Sequence, residues 1–331
     1  MAFKLSVVLT TYNRASFLAK ALISLANQTV DNEEYEVIVI DDGSSDNTLE
    51  IVKSIGPILP IKYSYQQNSG LASAKNHGLF LASGDIVLFL DDDDISDPNL
   101  IEQHLLAHSA NQNPNTAILG KTNIASSLQT DSLMHYVTQK DPMLFCYQGI
   151  HHRDVLNYEY FWGGRTSCKR ELLLKEGVFN PVFRFGYEDI ELGYRLNQRV
   201  GLQVVFWEPA VNTMIRQIDL ASFIKRCQRQ GESAWRFLEI HNMDGEIERY
   251  LNCNNLLKDL EILDPAYESS ILSASKLEAS IRTAIAMSYE VPDDWQRAME
   301  SAYYRAFRAA MSRGVKTAMK TPSPSSSTKT S

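Results

Sequence analysis

Ile86-Val87-Leu88-Phe89-Leu90-Asp91-Asp92-Asp93-Asp94 decides the reading of this chain, because five apolar residues run directly into four carboxylates. A short unbroken apolar run is the pattern of a strand buried on both faces. Three more such runs lie in the first hundred residues: Leu5 to Leu9, Val37 to Ile40 and Ile61 to Tyr65. Helical patterns separate them. Phe17, Ala21, Leu22 and Leu25 share one face, Leu49, Val52 and Ile55 a second, and Leu71, Ala74, Gly78 and Leu81 a third. Asp42-Gly43-Ser44-Ser45-Asp46 supplies turn and N-cap chemistry ahead of the second helix. This alternation predicts a doubly wound, mostly parallel, Rossmann-like α/β sheet. Ligands of such sheets bind outside the carboxyl ends of the strands.

Read at those ends, the sequence collects Thr10-Thr11-Tyr12-Asn13-Arg14, Asp41-Asp42-Gly43-Ser44 and Asp91 to Asp94 in one crevice. Carboxylates suit hard cations such as Mg²⁺ and Mn²⁺, which bind one or two side chains and leave positions open for phosphates. If the strand geometry continues, Asp91 and Asp93 point together and Asp92 points away. The plainer alternative is an acidic turn leading to a helix capped by Asp97. Asp41 or Asp42 could accept from a base or ribose, or simply start the Asp-Gly turn. Glu188-Asp189 stands at a predicted helix start, with Leu192 and Leu196 as its buried stripe. There it could complement the helix dipole or supply a general base.

Composition excludes several classes. The 331 residues are 44% hydrophobic and 22% charged with a net charge of -8, so no chain-wide basic footprint for nucleic acid exists. GxGxxG, GxxxxGK[ST] and G-x-S-x-G are all absent. His104 and His108 are four apart, but Leu105 breaks the HExxH pattern, which predicts surface or packed histidines. Cys146, Cys168, Cys227 and Cys253 show no metal or disulfide spacing, as in a reducing compartment. No signal-peptide pattern opens the sequence and no apolar run nears the roughly 20 residues that span a bilayer. The expectation is a cytoplasmic protein, or one peripheral on the inner membrane face. Beyond about residue 217 the pattern is helical, divided by Pro265 and Pro292. Arg305, Arg308, Arg313, Lys316 and Lys320 there read as a solvated face or, second, a membrane or self-association surface.

Taken together, Ser6 to Arg14, Val39 to Thr48, Asn68 to Gly78, Asp91 to Asp94, Gly163-Gly164 through Leu172, and Tyr187 to Leu192 resemble family 2 glycosyltransferases with the GT-A fold. The resemblance spans roughly residues 4–235. It implies a GT-A domain over 1–238, with a nucleotide-sugar half (1–110) and an acceptor half (111–238). A helical extension over 239–320 and a disordered tail over 321–331 follow. It further implies that Thr10, Tyr12, Arg14 and Asp42 hold the nucleotide, with Asp42 reading the base. Lys75 and Asn76 would line the donor pocket, and Asp92 would approach the ribose. Asp91 and Asp93 would hold Mn²⁺ or Mg²⁺ on the diphosphate. Asp189 matches the catalytic base, Glu188 a sugar contact, and Trp162, Gly163 and Gly164 the acceptor floor. The implied reaction is inverting transfer of a single sugar, UDP-linked by default, to a saccharide, lipid-linked or protein-linked hydroxyl. Val211 to Arg216 carries no histidine where many relatives place a metal ligand, and the Gln-x-x-Arg-Trp motif of processive synthases is missing. The alternatives are a sugar-1-phosphate nucleotidyltransferase and a non-catalytic scaffold of the same fold.

Overall fold

The computed structural model describes residues 3–129 and 131–321, so the tail expected over 321–331 lies outside the described residues from 322 on. The chain opens with β1 (Leu5–Thr11), α1 (Ala15–Ala26), β2 (Tyr35–Asp41), α2 (Thr48–Ile55), β3 (Ile61–Tyr65), α3 (Leu71–Leu81) and β4 (Ile86–Asp91). Next come β5 (Asp94–Ser96), α4 (Leu100–Ala110), β6 (Thr116–Ile124) and the short α5 (Ser132–His135). The middle holds β7 (Val155–Leu156), β8 (Arg165–Lys169), α6 (Arg170–Glu176), α7 (Glu188–Val200) and β9 (Gln203–Met214). Five helices follow: α8 (Leu220–Ile240), α9 (Gly245–Tyr250), α10 (Cys253–Ile262), α11 (Tyr267–Ala286) and α12 (Asp293–Lys320). Among the described residues no helix is long and apolar enough to cross a membrane. All four cysteines are free thiols.

Two compact units divide the chain. One comprises residues 3–129, 145–184 and 188–217, the other 131–144, 185–187 and the residues from 218 on. The helical unit thus starts ahead of residue 239, with α8 included, because α8 lies along α12.

The first unit is built on a nine-stranded mixed sheet in the order β3-β2-β1-β4-β8-β6-β9-β5, with β7 on β9. Strands β3, β2, β1 and β4 are mutually parallel, while β8 joins β4 antiparallel. Thr10 is level with Ile40 on one side and Asp91 on the other, so the ends of β1, β2 and β4 meet along one edge. Leu5, Val7, Leu9, Val37, Val39, Leu88 and Leu90 pack one continuous core with Leu18, Leu22 and Leu25 of α1. Leu18 takes the place of Phe17 in the buried α1 stripe, which Ala15 heads, and Leu49 on α2 is exposed. β3 departs from the expectation of burial on both faces, since it is the sheet's edge strand and none of its residues is fully buried. α3 turns Ala72, Ala74, Lys75, Asn76, Gly78 and Leu79 inward and leaves Leu81 exposed. A lysine and an asparagine are thereby carried into the interior.

In the second unit Phe223, Tyr136, Tyr303 and Phe307 form an aromatic core. Arg308 pairs with Asp259, and Arg313 and Lys316 both reach Asp264, so much of the basic C-terminal stretch is neutralised by neighbouring acids. α8 and α12 cross in backbone contact: a Cβ built on Gly231 would overlap the Met311 carbonyl oxygen, and one on Gly314 the Gln228 carbonyl oxygen. Backbone cannot rotate away as a side chain can. Gly314→Ala is expected to destabilise by about 1–3 kcal/mol in chemical denaturation, the usual range for overpacking. Gly245→Ala, where a Cβ meets nothing within 4 Å, is the control and should stay within roughly 0.5 kcal/mol or gain slightly.

Candidate active site

The strand ending β4 stops at Asp91, and residues 92 and 93 form a turn before β5. The expected alternation therefore fails beyond Asp91. Asp92 and Asp93 do not diverge but share one guanidinium: Arg14 Nη1 lies 2.8 Å from Asp92 Oδ1 and 3.6 Å from Asp93 Oδ2. Thr11 Oγ1 donates to the other Asp92 oxygen at 2.7 Å. Arg216 Nε donates to Asp93 Oδ2. Asp91, with a side chain two-fifths exposed, receives Arg165 Nη2 at 3.2 Å. Asp94 is buried, and its Oδ2 has no hydrogen-bond partner among the described residues. Burial first, with Asp93 adding to it, pushes the Asp92 carboxyl up to about 6 against the pull of Arg14. Asp94 rises well above the carboxylate range through burial and the charges of Asp91, Asp93 and Asp92, with Arg165 opposing.

Around the β2 end, the acids organise loops. Asp41 Oδ1 accepts from Ser44 N at 2.7 Å, the turn role weighed for this pair, and Oδ2 accepts from Tyr63 at 2.8 Å. Asp42 accepts from Gln66 Nε2, Ser69 N and Gly70 N at 2.7, 2.8 and 3.0 Å, three of its about four acceptor positions. Asn13 N–H donates to Ser44 Oγ and its side-chain oxygen accepts from Ser45 N, which joins the β1 and β2 end loops. Thr10 is half-buried beside them and Tyr12 stands half-exposed.

The turn Gly163-Gly164 runs between the acidic turn and the start of α7. A Cβ on Gly164 would overlap the Asp91 carboxylate; one on Gly163 would strike the Lys75 ammonium and come 3.1 Å from Asp189 Cβ. Gly163 N–H donates to Asp189 Oδ2 and Ile190 N–H to Oδ1, both at 2.8 Å. Lys75 Nζ is buried 2.9 Å from Glu188 Oε1, while the buried Glu188 Oε2 has no partner among the described residues. Burial and then Glu188 raise the Asp189 carboxyl, and Lys75 with the two N–H groups holds it back. Trp162 precedes this turn, its Nε1 donating to Glu159 O, and packs against Tyr147 and Tyr160 with 5.4 Å between ring centroids. Asn76 stands apart. Its amide donates to Phe179 O and accepts from Phe179 N at 2.8 and 2.9 Å, so it clamps backbone rather than facing the crevice.

The structure adds Thr11, Arg165 and Arg216, which sequence reading did not single out. Arg165 follows Gly164 directly and is buried over the Phe145 ring, 4.5 Å from its centroid. Its only local signal was that adjacency. Three guanidiniums meet the carboxyl groups of residues 91–93, and the buried Asp94 Oδ2 is left unpartnered among the described residues. Clustered hard oxygen donors fit a divalent cation. Among the described residues no three His, Cys, Asp or Glu side chains are grouped to hold an ion. A cation seated here would be completed by oxygens from outside the protein.

His104 and His108 prove to be packed. Both are buried on α4, with Ser167 Oγ 2.8 Å from His104 Nδ1 and 2.9 Å from His108 Nε2. One hydroxyl can donate to one ring and accept from the other, which suits two neutral imidazoles. Burial first, then His108 for His104 and Lys169 for His108, brings each imidazole down to about 3. A folded pKa below the unfolded value of about 6.5 gives stability present above that pH and lost as pH falls towards 3. Unfolding free energy is expected to drop by about 2 kcal/mol per histidine between about pH 7.5 and 5. His108→Gln should roughly halve the pair's share of that drop; a wild type indifferent to this pH range would refute the assignment.

The family model described as glycosyl transferase family 2 matches residues 6–171. Validoxylamine A glucosyltransferase of Streptomyces hygroscopicus subsp. jinggangensis is 33% identical over 216 residues, covering 58% of this chain and 51% of that protein. Chondroitin synthase of Escherichia coli is 31% identical over 221 residues, covering 58% and 32%. The chain spans about half or less of the length of these curated relatives. Among solved structures, a mannosyltransferase from Pyrobaculum calidifontis in complex with GDP-Man and Mn²⁺ superposes with a TM-score of 0.60 at 18% identity, covering 95% of this chain and 87% of that one. Residues 1–349 of S. aureus TarS in complex with UDP superpose with a TM-score of 0.55 at 18% identity, covering 94% and 90%. These two likenesses establish a common fold, and the family match spans the strand ends from Thr10 to the Gly163-Gly164 turn; the chain belongs to glycosyl transferase family 2.

Proposed function

We propose that this chain transfers one sugar, with inversion, from a nucleotide-diphosphate sugar to an acceptor hydroxyl, and that the donor is UDP-linked. The observation that carries the reading is the Gly163-Gly164 turn, which has Asp91 against one glycine and Lys75 with Asp189 against the other. A donor diphosphate and an acceptor hydroxyl need such an arrangement, with a negatively charged cation seat close to a base. GDP-Man with Mn²⁺ in the Pyrobaculum protein and UDP in TarS support a nucleotide in the crevice.

Thr10, Tyr12 and Arg14 line the nucleotide's side. Asp42 contributes to base recognition chiefly through the 66–70 loop it orders, and Asp92 aligns Arg14 and Thr11 there. Mn²⁺ or Mg²⁺ held by Asp91 and Asp93 would act as a Lewis acid on the departing diphosphate. Asp189 removes the acceptor proton. Its two oxygens are aimed by Gly163 N–H and Ile190 N–H, and burial beside Glu188 makes it a stronger base than an exposed aspartate. Lys75 keeps it ionised. The uncommitted Glu188 Oε2 accepts a sugar hydroxyl, and Trp162 stacks an acceptor ring. Asn76 serves this pocket indirectly, through Phe179.

Calorimetric titration with UDP, GDP and dTDP, each with Mn²⁺ and then with EDTA, tests the donor side. One nucleotide is expected to bind with the metal and to be lost with chelator; no binding in any arm would sink the reading. Asp189→Asn should lower kcat by about two to four orders of magnitude with nucleotide affinity within about twofold, and an unchanged kcat would remove Asp189 from its role. Gly164→Ala should keep the fold, because the half-exposed Asp91 can rotate, yet weaken metal-dependent nucleotide binding by about tenfold, one lost charge-assisted contact.

A further inference from the structure

Arg216 lies beyond the residues that the family model matches and has no role in the reading above. Its place is fixed by main chain: β5 and β9 pair with Asp94 opposite Met214, and Ile215 N–H donates to Asp93 O at 3.0 Å. The root of Arg216 therefore cannot leave the neighbourhood of Asp93, while its side chain, about one-fifth exposed, can swing. Nε donates to Asp93 Oδ2, and the two Nη groups have no other hydrogen-bond partner among the described residues. Arg14 Nη1 approaches the same Oδ2 at 3.6 Å but is anchored on Asp92 at 2.8 Å. Two guanidiniums thus crowd one carboxylate oxygen, and only one of them has a second anchor.

We propose that Arg216 contests the Asp93 carboxylate with the divalent cation and passes to the donor's diphosphate when cation and nucleotide bind together. The claim rests on the donor reading above. A cation arriving alone must break the Arg216–Asp93 contact and strand a guanidinium with all five N–H donors uncommitted. A cation arriving with a diphosphate offers those donors phosphate oxygens, for which the planar fork is suited. Arg216 then makes the two ligands cooperative: each raises the affinity of the other by the same factor.

The test is Mn²⁺ binding itself, followed by electron paramagnetic resonance of the free ion. Wild type, Arg216→Gln and Arg216→Lys are titrated with Mn²⁺ alone and then with Mn²⁺ plus the nucleoside diphosphate selected by calorimetry. Arg216→Gln is expected to bind Mn²⁺ alone about tenfold more tightly than wild type, and to lose about tenfold of the mutual enhancement, as for one charge-assisted contact. Arg216→Lys keeps the charge and should stay near wild type for Mn²⁺ alone, which separates competition from altered folding. Unchanged or weaker Mn²⁺ binding by Arg216→Gln, beside a wild type that binds metal and nucleotide together, overturns this inference and leaves the donor reading standing. A wild type with no metal-dependent nucleotide binding overturns both.

Discussion

Consecutive carboxylates can end a buried strand only where cations arrive from other parts of the chain. A buried charge without a partner costs several kcal/mol, and Asp92 and Asp93 are both buried. The sheet order solves this problem. β1 and β8 flank β4, so the loop after β1 brings Arg14 and the first residue of β8 brings Arg165. β5 leaves the acidic turn and pairs with β9, whose end brings Arg216. The mixed half of the sheet is in this sense part of the site's electrostatics. An antiparallel β8 starts where the parallel β4 ends, and a buried guanidinium can then stand beside Asp91.

The second constraint is steric. Between Asp91 and Asp189 the backbone passes so close to Lys75 and the Asp91 carboxylate that a methyl group on Gly163 or Gly164 would displace one of those side chains. Glycine here serves proximity rather than flexibility: neither residue has a positive φ. Main chain also donates to the base, since Gly163 N–H is one of the two groups fixing Asp189. Position and proton affinity are set by the same contacts. The N–H groups and Lys75 lower the carboxyl while burial and Glu188 raise it.

Sequence made the parallel half legible because periodicity is local. The four strands, the α1 and α7 stripes and the strand ends at Thr10, Asp41 and Asp91 all follow from apolar runs and their stops. Errors came where tertiary position overrides pattern. Ile61 to Tyr65 is apolar enough for a central strand but lies at the edge. Strand alternation placed Asp91 with Asp93, and the turn at 92–93 broke it. Arg165 and Arg216 were invisible because their partners are 74 and 123 residues away, and nothing in the local spacing marks such pairs. On α3 the inward face includes Lys75 and Asn76, which a purely apolar stripe misses.

Polar atoms that are fully used separate scaffold from chemistry in this site. Asp41, Asp42, Asn76 and Glu191 are buried or nearly so, and each has its acceptors committed: to the Ser44 turn and Tyr63, to the 66–70 loop, to Phe179 and to Arg195. Such groups lower the energy of one backbone arrangement and have little left to offer a ligand. Glu188 Oε2 and Asp94 Oδ2 are the opposite case, buried and uncommitted within the same cluster as Lys75 and Arg165. An orphaned acceptor costs about 1–3 kcal/mol, which selection for stability alone would remove by an uncharged side chain. Its retention beside the aimed oxygens of Asp189 follows if a hydroxyl or cation from outside completes it. The cost is then recovered on binding, and the electrostatic tension of the acidic turn becomes affinity for the ligand that relieves it.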